Sequence, residues 1–188
     1  DGETFLEAVI DADAGPFAAS PLTLNALLSS FQENGDIPAR KADLFEEYCL
    51  RLSREENENR REAGETGLLD PTDRVDILSR IAALMVFGVR TRLCLQPRAS
   101  ETADALGESQ DILFIDELRS GRGRGSRMNE PSVDAIRDAV RHSGLLRGSD
   151  EGRTFRWRHR SFAEYLAARF ICGHGLPVEQ VRPLIEHE

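Results

Sequence analysis

Between residues 155 and 170 the hydrophobic period of the chain switches from two to that of a helix, and no other stretch limits the fold as tightly. Phe155, Trp157 and His159 alternate with Arg156, Arg158 and Arg160, the pattern of a strand with one buried face. Trp157 is therefore expected to point inward, and Arg156 and Arg158 outward. Phe162, Tyr165, Leu166 and Phe170 then recur at helical spacing, with Ala163, Ala167 and Ala168 small enough for close packing. Ser161 and Glu164 have the spacing of a capping box, which predicts a helix starting at Ser161 with Tyr165 largely buried. Gly173 predicts its stop. His159 falls where the strand feeds the helix N-terminus, a place suited to an anionic group.

Upstream, the periodicity is mostly helical. Phe5, Leu6, Val9 and Ile10 form one apolar face that ends near Gly15. Ser20 and Pro21 open a second helix, serine as N-cap and proline in the first turn, with Leu24, Leu27, Leu28 and Phe31 as its stripe and Asn34-Gly35 as its stop. A third runs from about Lys41 with Leu44, Phe45, Tyr48 and Leu52 inward. Its tail, Glu55 to Glu65, reads as solvated charge. Asp70-Pro71 starts a fourth, with Ile77, Ile81, Leu84 and Met85 at helical spacing up to Gly88.

Beyond Gly88 the pattern changes. Arg92 to Leu95 reads as a short strand, Gln96 to Gln110 as a loop and Gly121 to Gly125 as a flexible arginine–glycine stretch. Pro131 begins a helix with Val133, Ile136 and Val140 inside, ended by Gly144. Leu145-Leu146 and Phe155-Arg156-Trp157 read as a hairpin closed by a turn over Gly148 to Gly152. Helix, hairpin, helix is the pattern of a winged helix. The expected fold class is mainly α: a helical bundle followed by a winged-helix domain with a small β hairpin. Its expected divisions are a helical lid over 1–66, the winged helix over 67–172 and the start of a further helical region over 173–188.

Phe-x-Trp-x-His-x-Ser-Phe-x-Glu-Tyr-Leu-Ala-Ala, over residues 155 to 168, resembles the end of the winged-helix domain in NACHT-type STAND ATPases. That signalling class includes bacterial antiviral ATPases and animal NOD-like receptors. Ser20-Pro21-Leu22-Thr23-Leu24, then Ile37-Pro38 and Leu44-Phe45-Glu46-Glu47-Tyr48, is similar to the helical domain that follows the nucleotide-binding core in the same family. The resemblance implies that His159 meets the β-phosphate of ADP in a closed state and that Pro21 packs on the adenine ring. It further implies an ATPase core preceding this chain, ADP or ATP with Mg as the full-length protein's cofactors, none of them bound by this chain alone, and a homo-oligomer on activation. In a bacterial host it implies defence against phage.

Both site residues also have a structural reading. A histidine at a strand end often satisfies a backbone carbonyl, and Ser20-Pro21 explains itself as helix initiation. Ile112-Leu113-Phe114-Ile115-Asp116-Glu117 superficially resembles a Walker B strand, but such a strand works only beside a P-loop. The sole lysine, Lys41, follows Pro38-Ala39-Arg40 with no glycine-rich loop. A short strand or helical turn packing on the winged helix is the expectation for Ile112–Ile115, and this chain by itself is expected to be no enzyme.

Charge and cysteine content narrow the partners. The net charge is -9, yet residues 1–118 hold 24 acids and 11 bases while residues 119–188 hold 9 acids and 13 bases. A winged-helix nucleic-acid-binding regulator is the rival reading. Against it, the helix after Pro131 mixes Asp134 and Asp138 with Arg137 and Arg141 and offers phosphates no uniformly basic face. The heavy arginine use fits a GC-rich genome as well as phosphate recognition. Cys49, Cys94 and Cys172 lie far apart in apolar contexts and read as reduced core residues of a cytoplasmic protein. His142, His174 and His187 read as surface or structural. There is no initiating methionine, no signal peptide and no apolar run long enough to span a membrane, so a piece of a larger protein with no membrane partner is expected.

Overall fold

In a computed structural model of the chain, the described residues are 2–38, 40–54, 69–98, 110–118, 130–149 and 153–186. The expectations for the charged tail at 55–65, most of the loop at 96–110, the arginine–glycine stretch, the tip of the hairpin turn and His187 fall outside them. The chain divides into two compact units, Asp1–Arg51 and Leu52–Glu188. It is mainly helical, with a small four-stranded mixed sheet. Among the described residues no helix is long and apolar enough to cross a membrane.

The first unit contains α1 (Gly2–Asp11), α2 (Gly15–Ala18), α3 (Pro21–Asn34) and α4 (Lys41–Leu52). Its core gathers Val9, Ala14, Ala26, Leu27, Ile37 and Leu44, flanked by Phe5, Phe31 and Tyr48. Phe5 and Phe31 meet edge to face at 5.5 Å, a favoured aromatic geometry. Ser20 holds the N-cap position of α3 in extended geometry, but its side chain makes no cap bond; Pro21 at the first turn supplies the start. Gly35 ends α3 at φ 74°, its N–H donating to the Phe31 carbonyl, a conformation that favours glycine. Two expected inward stripes are narrower than their periodicity suggested. Leu6 and Ile10 of α1 are exposed, and so are Leu24 and Leu28 of α3. At the start of α4, Arg40 binds both carboxylate oxygens of Asp43 at 2.8 Å. That hydrogen bond, with the attraction of the charge, raises the already high arginine pKa.

The second unit is built on α5 (Pro71–Phe87). Asp70 caps it, accepting from the N–H groups of Thr72 and Asp73 at 2.8 and 2.9 Å, and Pro71 fills the first position; both devices were legible in the Asp-Pro pair. Buried Val75, Leu78, Ile81 and Met85 give α5 its core stripe, while Leu84 is partly exposed. Against α5 pack α6 (Val133–Arg141) and α7 (Arg160–Gly173), the latter through Phe162, Ala163, Leu166 and Ala167. Helix α6 starts two residues after Pro131, capped by Ser132, whose hydroxyl accepts from Ala135 N–H. A last helix, α8, spans Val178–Ile185. Cys49 and Cys94 are buried as expected, whereas Cys172 is exposed; it lies off the stripe that α7 buries.

The sheet holds β1 (Arg92–Cys94), β2 (Ile112–Phe114), β3 (Leu146–Ser149) and β4 (Thr154–Trp157) in the order β2-β1-β4-β3. β1 runs parallel to β2 and antiparallel to β4, and β3 and β4 form the hairpin with Leu146 opposite Trp157. Along β4 and the junction after it, Phe155 and Trp157 are half-buried and Arg156 and Arg158 exposed, which is the expected alternation. His159 departs from it and is exposed. Cys94, Ile112 and Phe114 form a small cluster of their own, and Ile112–Phe114 is a strand buried along its length. Its following acids are engaged locally: Asp116 accepts from Arg98 N–H, and Glu117 from Phe114 N–H and the Arg98 guanidinium.

Candidate functional site

Strand β4 ends at Trp157 and α7 begins at Arg160, so two residues carry the chain through the turn. His159 is the N-cap of α7, extended at φ -145° and ψ 139°, and its Nδ1 accepts the Ser161 N–H at 3.2 Å. The expected capping box is therefore displaced by two residues. Imidazole, not the Ser161 hydroxyl, satisfies the free N–H at the helix start. Glu164 instead accepts from Arg160 Nε at 2.6 Å across one turn, and Tyr165 is half-buried. At the other end α7 runs through Gly173 to a cap at His174.

This geometry fixes the chemistry of the ring. Nδ1 accepts a hydrogen bond, so in the neutral imidazole the proton sits on Nε2, and Nε2–H is a donor. The ring also meets buried Phe162 edge-on, centroids 6.4 Å apart. Position and tautomer are thus set by the first turn of α7, while the ring stays exposed. The first turn of α7 has no acid, exposed Arg158 and the Arg160 paired with Glu164 flank the histidine, and the helix N-terminus adds its dipole. An anion with hydrogen-bond acceptors, such as a phosphate, suits this end of the helix.

Pro21 lies in the first unit, exposed at the first position of α3. Its ring is open to stacking while the backbone starts the helix. His159 belongs to the second unit.

A second polar constellation escaped the sequence reading. Arg74 of α5 pairs with Asp138 of α6, Nε to Oδ2 at 3.0 Å, with each side chain only 4% exposed. Arg74 Nη1 also donates to the Ser53 carbonyl at 2.7 Å, just beyond α4. His142 Nδ1 lies 3.0 Å from Asp138 Oδ1. That distance lacks hydrogen-bond geometry, and Nδ1 stays sealed without a hydrogen bond among the described residues, as do the hydroxyls of Ser53 and Ser143. The signal for Arg74 was its place on the apolar stripe of α5, one residue before Val75 and four before Leu78. Nothing in the sequence named Asp138 as its partner across 64 positions. The side chains are buried and bound to each other, so they hold the fold together and offer no open site. Among the described residues no three His, Cys, Asp or Glu side chains gather as metal ligands. Compared with protein-family models, with curated proteins and with solved structures, the chain finds no match.

Proposed function

We propose that this chain is the helical lid and winged-helix part of a NACHT-type STAND ATPase, reporting to an adjoining nucleotide-binding core whether ADP or ATP is bound. The observation that carries the reading is the His159 ring, held by Ser161 N–H through Nδ1 so that Nε2–H is left to donate. The β-phosphate of ADP supplies acceptor oxygens of the kind this donor and the α7 N-terminus suit. Pro21, exposed at the start of α3, supplies an apolar ring face for adenine. The winged-helix reading is supported by the order α5, β1, α6, β3, β4 and by the pairing of β1 with the second strand of the hairpin. The switch is a two-state equilibrium. A phosphate contact made only in the closed form favours it, and its loss on nucleotide exchange releases the open, oligomeric form. In a bacterial host the output is defence against phage.

The test separates the cap from the phosphate contact. In the complete protein with its nucleotide-binding core, His159→Asp keeps an N-cap acceptor but sets a carboxylate against phosphate. His159→Ala removes both. Both variants are expected to release ADP faster by about one to two orders of magnitude, the worth of a hydrogen bond to a charged group, and to oligomerise without a trigger. ADP release at the parent rate in both variants returns His159 to a purely structural cap.

A further inference from the structure

Helix α1 contains no basic residue, and its exposed face is built from Glu3, Leu6, Glu7, Ile10 and Asp11. The acids recur every fourth residue, where like charges on a helix repel, and none has a basic partner among the described residues. Between them Leu6 is 59% and Ile10 74% exposed. On the hairpin of the second unit the opposite conflict stands. Arg147 and Arg156 are direct cross-strand partners, both exposed and without an acidic partner among the described residues. Like charges placed opposite each other in a sheet are destabilising. Asp150 and Glu151 of the hairpin turn lie outside the described residues.

We propose that the acidic, apolar face of α1 docks on the Arg147–Arg156 pair of a second copy of this chain. Each surface carries an unfavourable charge arrangement that the other relieves. Arginine suits the role because its aliphatic stem and flat guanidinium can cover Leu6 and Ile10 while its donors reach the flanking carboxylates. Residues 1–51 hold ten acids against three bases, and the whole chain carries -9. The hairpin arginines therefore meet ample acid in another copy, whereas a polyanion is repelled by most of the molecule. The two surfaces are different, so the contact is heterologous: it extends as a ring or an open chain, or is made twice in a two-fold pair. Association by this route needs neither nucleotide nor His159.

Sedimentation velocity on the 21.0 kDa chain at low ionic strength is expected to show species heavier than the monomer. They should dissociate at about 1 M salt, where a Debye length of about 3 Å screens exposed charges. Arg147→Glu with Arg156→Glu, and separately Glu3→Arg with Glu7→Arg, should each weaken self-association at least about tenfold as attraction becomes repulsion. An equimolar mixture of the two reversed forms is expected to associate again, because each basic surface then finds an acidic one. Recovery on mixing also shows that both variants are folded. If either reversed form loses its helical circular dichroism, the neutral pair Arg147→Gln with Arg156→Gln replaces it and should weaken association in the same direction. A parent chain that stays monomeric at low salt, association that persists unchanged at 1 M salt, or variants that associate as well as the parent overturns the pairing.

Discussion

An imidazole can accept a backbone N–H only through a ring nitrogen that carries no proton, so the His159 cap selects one tautomer. Two consequences follow for the isolated chain. Neutral His159 should show the Nε2–H form in a two-bond nitrogen–proton NMR correlation, and a ring protonated on Nδ1 contradicts the cap. His159→Ala should lower stability by about 0.5–2 kcal/mol, the range for a lost N-cap, while His159→Asn or His159→Asp recovers most of it. Urea unfolding midpoints read the difference. The location of His159 at a strand–helix junction was legible in the change of period. Its role as the cap was not, because Ser161 with Glu164 matched a stronger sequence signature two residues further on. Histidine lies outside the usual capping residues, and here backbone geometry decided against the preference.

Elements were legible wherever two local signals agreed. Asp70 with Pro71 marked the start of α5, Gly35 the end of α3, and Leu146 facing Trp157 the hairpin. Periodicity was less informative about what covers a face. It placed Leu6 and Ile10 on one face with Val9, but Val9 is buried while Leu6 and Ile10 are exposed. Glu164 now belongs to an exposed pair with Arg160, and such a pair contributes about 0.3–0.5 kcal/mol. Glu164→Ala should therefore shift the unfolding midpoint far less than a broken cap would; a loss above about 1 kcal/mol restores the capping-box reading. The Arg74–Asp138 contact between α5 and α6 is the opposite case. Breaking a buried pair strands a charge, so Asp138→Ala should cost about 3–5 kcal/mol. Replacing both partners, Arg74→Met with Asp138→Leu, should cost clearly less than the two single changes summed, because no charge is left uncompensated. Additive losses in a double-mutant cycle would show that the two side chains do not act as a pair.

At the scale of the molecule the net charge of -9 weighs against a nucleic-acid-binding winged helix. A protein that neutralises phosphates needs a basic surface, and each neutralised phosphate steepens the fall of affinity with salt, by about 0.9 in log K per log unit of salt. Helix α6, which precedes the hairpin, has no such surface. Asp138 is buried against Arg74, Asp134 lies 3.6 Å from Arg137, and the short helix thus carries two acids beside its two arginines. The exposed hairpin arginines Arg147 and Arg156 stand on a chain whose first 51 residues hold ten acids and repel a duplex. The chain is therefore expected to bind duplex DNA no tighter than the weak non-specific range, about 10⁻⁴ M at physiological salt, with little change in anisotropy as salt is lowered. Binding in the nanomolar range that weakens steeply with salt, and that Arg147→Glu with Arg156→Glu abolishes, would assign the hairpin to nucleic acid instead. The same variant then reads two opposed outcomes, loss of self-association in one case and loss of duplex binding in the other. Acid distribution favours the first, because the first unit of a neighbouring copy offers the hairpin arginines ten acids against three bases.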